Sequence, residues 1–156
     1  MRFSTKDLAV AAVVGAVYAA LTMALAPISY GPVQMRVSEV LCILPFFMPA
    51  TTWGLFLGCA VSNIISAAGI WDVIFGSLAT LGACLCIQVL GQRGKGAKSW
   101  LRIVLAALMP VVWNGVIIGG EVALGEAIVM FVLGIPLMRF LPKALWFQTI
   151  MQTHNP

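Results

Sequence analysis

Charge is what this sequence has least of. Only 9% of its 156 residues are Asp, Glu, Lys or Arg, 62% are hydrophobic, and the mean hydropathy is +1.04. A water-soluble domain of this length leaves about a third of its chain surface exposed, which so few polar groups cannot cover. A soluble globular domain is excluded on that ground, and a lipid bilayer is the solvent that fits.

Histidine is almost missing. His154, in the tail, is the only one, so the hydrophobic body offers no imidazole as a general base and no metal-ligand cluster. Cys42, Cys59, Cys84 and Cys86 all lie in apolar runs without CxxC spacing; they read as small packing residues, not as a disulfide framework or zinc site. Residues 91–99 (GQRGKGAKS) imitate a phosphate loop, but Ala97 separates Gly96 from Lys98 and the preceding run is not a strand. With no nucleophile placed beside a base, catalytic residues, metal and cofactor are all expected to be absent.

What is present is hydrophobic length. Crossing a bilayer takes roughly 17–25 apolar residues, and the polar breaks divide the chain into six runs at residues 8–26, 37–49, 52–70, 71–90, 100–118 and 121–141. The expectation is an all-α integral membrane protein, one six-helix domain over residues 1–156. The tail, 142–156, should carry an interfacial helix near 144–152. The first run follows Arg2 and Lys6 like a signal peptide, yet it is long enough to span and other runs follow, so cleavage is not expected. The second run is short and holds Pro45, which points to a tilted or partly re-entrant element.

Lysine and arginine set the orientation. With six spans, Arg2 and Lys6, the 91–99 loop with Arg93, Lys95, Lys98 and nearby Arg102, and the C-terminal flank with Arg139 and Lys143 share one side. They make up eight of the nine basic residues, which places both termini in the cytoplasm. A nucleic-acid reading of the net charge of +4 fails, because these residues mark a membrane edge. Arg36, the ninth, lies on the opposite side.

The acids complement this pattern. Of five Asp and Glu residues, Asp7 alone is cytoplasmic; Glu39, Asp72, Glu121 and Glu126 fall toward the outer face, as do Asn114 and Gln34. Carboxylates in a membrane cost about 2.5–3.5 kcal/mol each on insertion scales and face a cavity or a partner. Each has a plainer reading beside the functional one. Glu39 either pairs with Arg36 at i,i+3 or meets a ligand. Asp72 either caps its helix or contributes to the site. Asn114, next to Trp113, either bridges helices or contacts a ligand. Glu121 follows two glycines that free its backbone to line a pocket, and is read as a ligand contact. Glu126, a little more than one turn beyond Glu121, either contributes to the site or meets headgroups or caps.

Small residues mark a second surface. Ala12, Ala16 and Ala20 recur every four residues, and Ala11, Gly15 and Ala19 repeat the pattern one position earlier. Such a face lets a helix approach closely, whether within the bundle or on a partner subunit.

Three stretches carry a resemblance that covers nearly the whole chain: residues 25–39 (LAPISYGPVQMRVSE), 71–81 (WDVIFGSLATL) and 114–121 (NGVIIGGE). With these the sequence resembles the QueT family, substrate-binding (S) components of energy-coupling factor transporters for queuosine precursors in prokaryotic plasma membranes. The resemblance implies a six-helix bundle with an outward pocket, docked through its first helix on a membrane coupling protein driven by two cytoplasmic ABC ATPases. Ala12, Ala16 and Ala20 would then be the docking face. The implied ligand is 7-aminomethyl-7-deazaguanine, preQ1.

The residues add their own argument for such a ligand. Four outer acids against Arg36 suit a flat cation: a carboxylate accepts the paired N–H groups of a guanine-like edge, and a second carboxylate takes the ammonium. Trp71, Trp113, Tyr30 and Phe75 could stack on it. Recognition is expected to fall mainly on Glu39 and Glu121, with Asp72, Asn114 and Arg36 assisting. The alternatives are an S component for another cationic heterocycle, a small proton-coupled transporter, whose acids should spread through the membrane depth, and a structural scaffold without ligand affinity.

Overall fold

The structure, a computed structural model, describes residues 4–30, 34–66, 69–92 and 100–154. Arg2 and the loop bases Arg93, Lys95 and Lys98, on which the orientation rests, lie outside the described residues. All regular structure among the described residues is helical. Four runs are long and apolar enough to cross a membrane: Thr5–Ala24, Asp72–Gln92, Trp100–Ile117 and Gly125–Lys143.

Helix α1 spans Thr5–Ala24 and begins with a capping box. Asp7 N–H donates to Ser4 Oγ (3.3 Å) and Ser4 N–H donates to Asp7 Oδ2 (2.8 Å), satisfying two backbone donors that helix geometry leaves free. A short helix, α2 (Ala26–Ser29), follows, with Pro27 in its first turn, where a missing N–H costs nothing.

The second hydrophobic run does not form an α-helix. Val37–Phe46 is a 3-10 helix of 10 residues, which at about 2.0 Å per residue reaches farther than the same residues would in an α-helix. Its three-residue period puts Arg36, Glu39 and Cys42 in one column. That column runs down the middle of the bundle, packed by α1, α3 (Thr51–Asn63), α4 (Ser77–Gln92) and α5 (Trp100–Ile117). Helix α3 ends at Asn63, seven residues before the sequence pattern ends it, and at 13 residues it is shorter than a full crossing.

The last run is a composite: α6 (Gly120–Val129), a π turn over Met130–Gly134, α7 (Ile135–Phe140), then a 3-10 turn over Leu141–Lys143 and α8 (Leu145–His154). Met130 and Ile135 at the joints keep right-handed helical dihedrals, so the path is continuous. Pro136, just after the π turn, has no N–H for the carbonyl of Val132, and the widened turn absorbs that loss. A second π turn, Asp72–Gly76, opens α4.

Helices α1 and α3 meet backbone to backbone. A Cβ on Gly54 would lie 1.9 Å from the Ala11 carbonyl oxygen, and one on Gly58 would lie 2.4 Å from that of Gly15. Lipid gives helices no hydrophobic reason to associate, so close van der Waals approach must hold them. The two small-residue rows of α1 therefore separate. Ala11 and Gly15 are buried against α3, whereas Ala12, Ala16 and Ala20 stay exposed.

Polarity is reversed relative to a soluble protein. Leu8, Val13, Leu57, Leu101, Val116 and Val132 are exposed, while Arg36, Glu39, Asn63, Thr80, Asn114 and Glu126 are fully buried. One end of the bundle is mainly aromatic and aliphatic: Phe47 packs edge-on to Phe46 (5.1 Å) and to Phe147 of α8 (5.3 Å), the Arg139 guanidinium lies 4.6 Å from the Trp100 ring centroid, and the buried Thr51 and Thr52 donate to the Met48 carbonyl and to Gln88. The polar residues gather toward the other end.

Candidate functional site

The polar cluster is built on the 3-10 column. Glu39 lies at its centre, and both its oxygens are engaged. Tyr18 of α1 donates its hydroxyl to Oε1, Thr80 of α4 donates to Oε1 at 3.2 Å, and the Cys42 thiol donates to Oε2 at 3.0 Å. Next to this node Thr22 and Ser38 share a hydrogen bond of 2.6 Å, so α1 is tied to the column twice. A Glu side chain can be held this deep because neutral donors from three elements converge on it.

Arg36 stands at the head of the same column and is fully buried. Its Nη2 donates to Gln34 Oε1 (3.1 Å) and lies 3.9 Å from Asp72 Oδ2. The ion pair of Arg36 is thus with Asp72, not with Glu39, because the 3-10 turn leaves Glu39 to Tyr18 and Thr80. The guanidinium also lies 5.8 Å from the Tyr30 ring centroid, within cation–π range. Asp72 accepts from the Ser66 hydroxyl, and its backbone carbonyl accepts from Asn63 Nδ2 (2.9 Å). It sits in the π turn and packs inward rather than acting only as a cap.

Glu126 and Asn114 form the third part. Asn114 Nδ2 donates to Glu126 Oε2 at 2.6 Å, and both residues are fully buried. Helix α6 presses on the segment before the column: a Cβ on Gly125 would lie 2.1 Å from the Gln34 carbonyl oxygen. Glu126, the next residue, is thereby set, fully buried, on the helix that packs against the column. Three carboxylates therefore share one buried region with a single guanidinium. If all are ionised, that region carries a net charge of −2, which a cation or further hydrogen-bond donors would offset.

The structure brings Arg36, Glu39, Asp72 and Asn114 together. Trp71 is apart from them, 63% exposed and stacked on Phe75 (5.8 Å between centroids, 15° between planes). Trp113 is half-buried with its ring against Gly82 of α4. Gly119 (φ +135°) makes the turn before α6, so the backbone of Glu121 is regular helix; its side chain lies outside the described ones. Ala12, Ala16 and Ala20 belong to a different, exposed surface, on which Ala12 and Ala16 line a groove of about 310 Å³ between α1 and α3 together with Trp53, Leu57 and Val61. No group of three or more His, Cys, Asp and Glu that could hold a metal occurs among the described residues.

Several members escaped the sequence reading. Tyr18, Asn63 and Thr80 each sit in an apolar run, where a hydroxyl or amide signals a partner without naming it. Glu126 was visible as an acid, and the reading that sent it to headgroups or a cap does not match its burial.

Comparison with known proteins bears on what this cluster serves. A queuosine precursor transporter, QueT, of Lactococcus lactis subsp. cremoris (strain MG1363) is 44% identical over 79 residues, which are 49% of this chain and 46% of that protein. The match therefore spans about half the length of this relative. No solved structure matches. With its apolar helices the chain is a multi-pass protein of the plasma membrane. Residues 8–143 match the QueT transporter family, a family of transporters and not of enzymes, and the chain belongs to it.

Proposed function

We propose that the chain is the substrate-binding subunit of an energy-coupling factor importer and that it takes up a queuosine precursor, preQ1. Family membership and the name of the Lactococcus relative support the substrate class. The observation that carries the reading is the charge of the buried cluster, three carboxylates against Arg36, which suits a flat cation better than a neutral or anionic ligand. Four of the five acids in the sequence lie toward this end of the bundle; a proton-coupled carrier wants them spread through the depth.

In this reading the six hydrophobic runs cross the membrane as one domain, with both termini cytoplasmic and the cluster opening outward. Arg36 and Asp72 orient the purine ring, Asn114 adds a contact, and Glu39 supplies charge from beneath while α1 and α4 hold it. Glu121, at the start of α6, and the aromatics Trp71 and Trp113 stand at the margin of the site. The exposed row Ala12, Ala16 and Ala20 docks on the coupling protein, whose two ABC ATPases supply the energy that this chain does not.

Calorimetry on the purified chain in detergent tests this. Aminomethyl deazaguanine should bind tightly, with guanine and the nitrile analogue weaker. Absence of binding to all three overturns the reading.

A further inference from the structure

In the buried cluster Glu39 has both carboxylate oxygens engaged, and Glu126 has one without a partner among the described residues. Glu39 receives Tyr18, Thr80 and Cys42; Asp72 receives Ser66 and faces Arg36. Glu126 receives only the amide of Asn114, on Oε2. Its Oε1 has no partner among the described residues, nor has Oδ1 of Asn114, although both side chains are fully buried. Buried polar atoms are seldom left unpaired, and those that are call for an explanation.

Asn114 Oδ1 accepts, and so does Glu126 Oε1 when the carboxyl is ionised, so a group that completes both in that state donates. An ammonium carries a positive charge and a compact fan of N–H groups, so it can donate to more than one acceptor and offset a carboxylate. The edge of a guanine-like ring presents two N–H groups side by side and is best met by both oxygens of one carboxylate, but Asn114 already occupies one oxygen of Glu126. The Arg36 Nε, also buried and without a partner among the described residues, is a donor, suited to a ring carbonyl rather than to an amine.

We infer that Glu126 and Asn114 form the subsite for the protonated amine of the ligand, with Glu126 the residue that selects a cation. This rests on the substrate reading above. It assigns the ammonium contact to a fully buried acid of α6, where the cost of burying a carboxylate is offset when the ligand arrives.

Titrating the wild-type chain, Glu126→Gln and Asn114→Ala with aminomethyl deazaguanine and with its nitrile analogue tests the assignment. The nitrile keeps the ring edge and lacks the ammonium. Removing one partner of a buried charged contact should weaken the amine by about a hundredfold in Glu126→Gln, with the nitrile changed by less than about threefold, so that selectivity collapses. Asn114→Ala should lower the same ratio by about tenfold and decides the matter if Glu126→Gln is not recovered folded. Equal losses for both compounds, or an unchanged preference, overturn the inference and leave the transporter reading standing. Binding of neither compound by the wild-type chain overturns both.

Discussion

The two ends of this bundle are built on opposite terms. Around Phe147 the interior is aromatic and aliphatic, with Phe46, Phe47, Ile43 and Met138 packed without a buried charge. Around Arg36 it holds three carboxylates, two asparagines and a guanidinium, and the backbone there departs from α geometry in the 3-10 column and in the π turn at Asp72. Regular packing secures the first end. The second bears desolvated charge and irregular backbone, features that recur where membrane proteins bind their cargo.

Breaking the polar end should have the largest effect. Arg36→Met removes the one cation among three buried acids, and uncompensated buried charge costs about 3–5 kcal/mol; thermal unfolding in detergent should show a pronounced drop. An unchanged midpoint would mean that the cluster is already neutral or solvated. Next, Phe147→Ala should cost about 3 kcal/mol while leaving ligand affinity as it was. A matching loss of affinity would erase the distinction between the ends.

Tyr18→Phe sharpens the comparison. It keeps the ring and removes one donor to Glu39, so a loss of about 1–3 kcal/mol is expected, read by the same unfolding measurement. No loss would assign Glu39 to its other donors. The smallest effect belongs to the outer surface of α1. Ala16→Leu should change stability by no more than about 0.5 kcal/mol and leave ligand binding by the isolated chain intact. Co-purification with the coupling protein should be lost, and persistence of that complex would remove the exposed alanine row from its docking role.

Much of the buried polar cluster could be read in advance because lipid makes polar residues conspicuous. Arg36, Glu39, Asp72 and Asn114 stood out as interruptions in apolar runs, and they do converge. The ranking within the last run was less legible. Glu121 and Glu126 are five residues apart, about 140° round an α-helix, so they face different ways, and the spacing alone does not say which one the bundle buries. The contact of Gly125 with the Gln34 carbonyl turns Glu126 inward. The small-residue rows were likewise equivalent on paper, until the glycines of α3 claimed Ala11 and Gly15 and left Ala12, Ala16 and Ala20 outside.

Composition was enough to establish the lipid solvent and the helical class, since the hydrocarbon core admits only backbones that satisfy their own hydrogen bonds, and periodic apolar length reports that directly. Family likeness, too, was carried by linear stretches. Packing alone chose the partners: that Tyr18 and Thr80 meet on Glu39, that Arg36 turns to Asp72, and that Glu126 keeps one oxygen bare. Those choices depend on distances of a few ångströms between residues far apart in the chain, and hydrogen bonds fall off too steeply with distance and angle for any one-dimensional pattern to encode them.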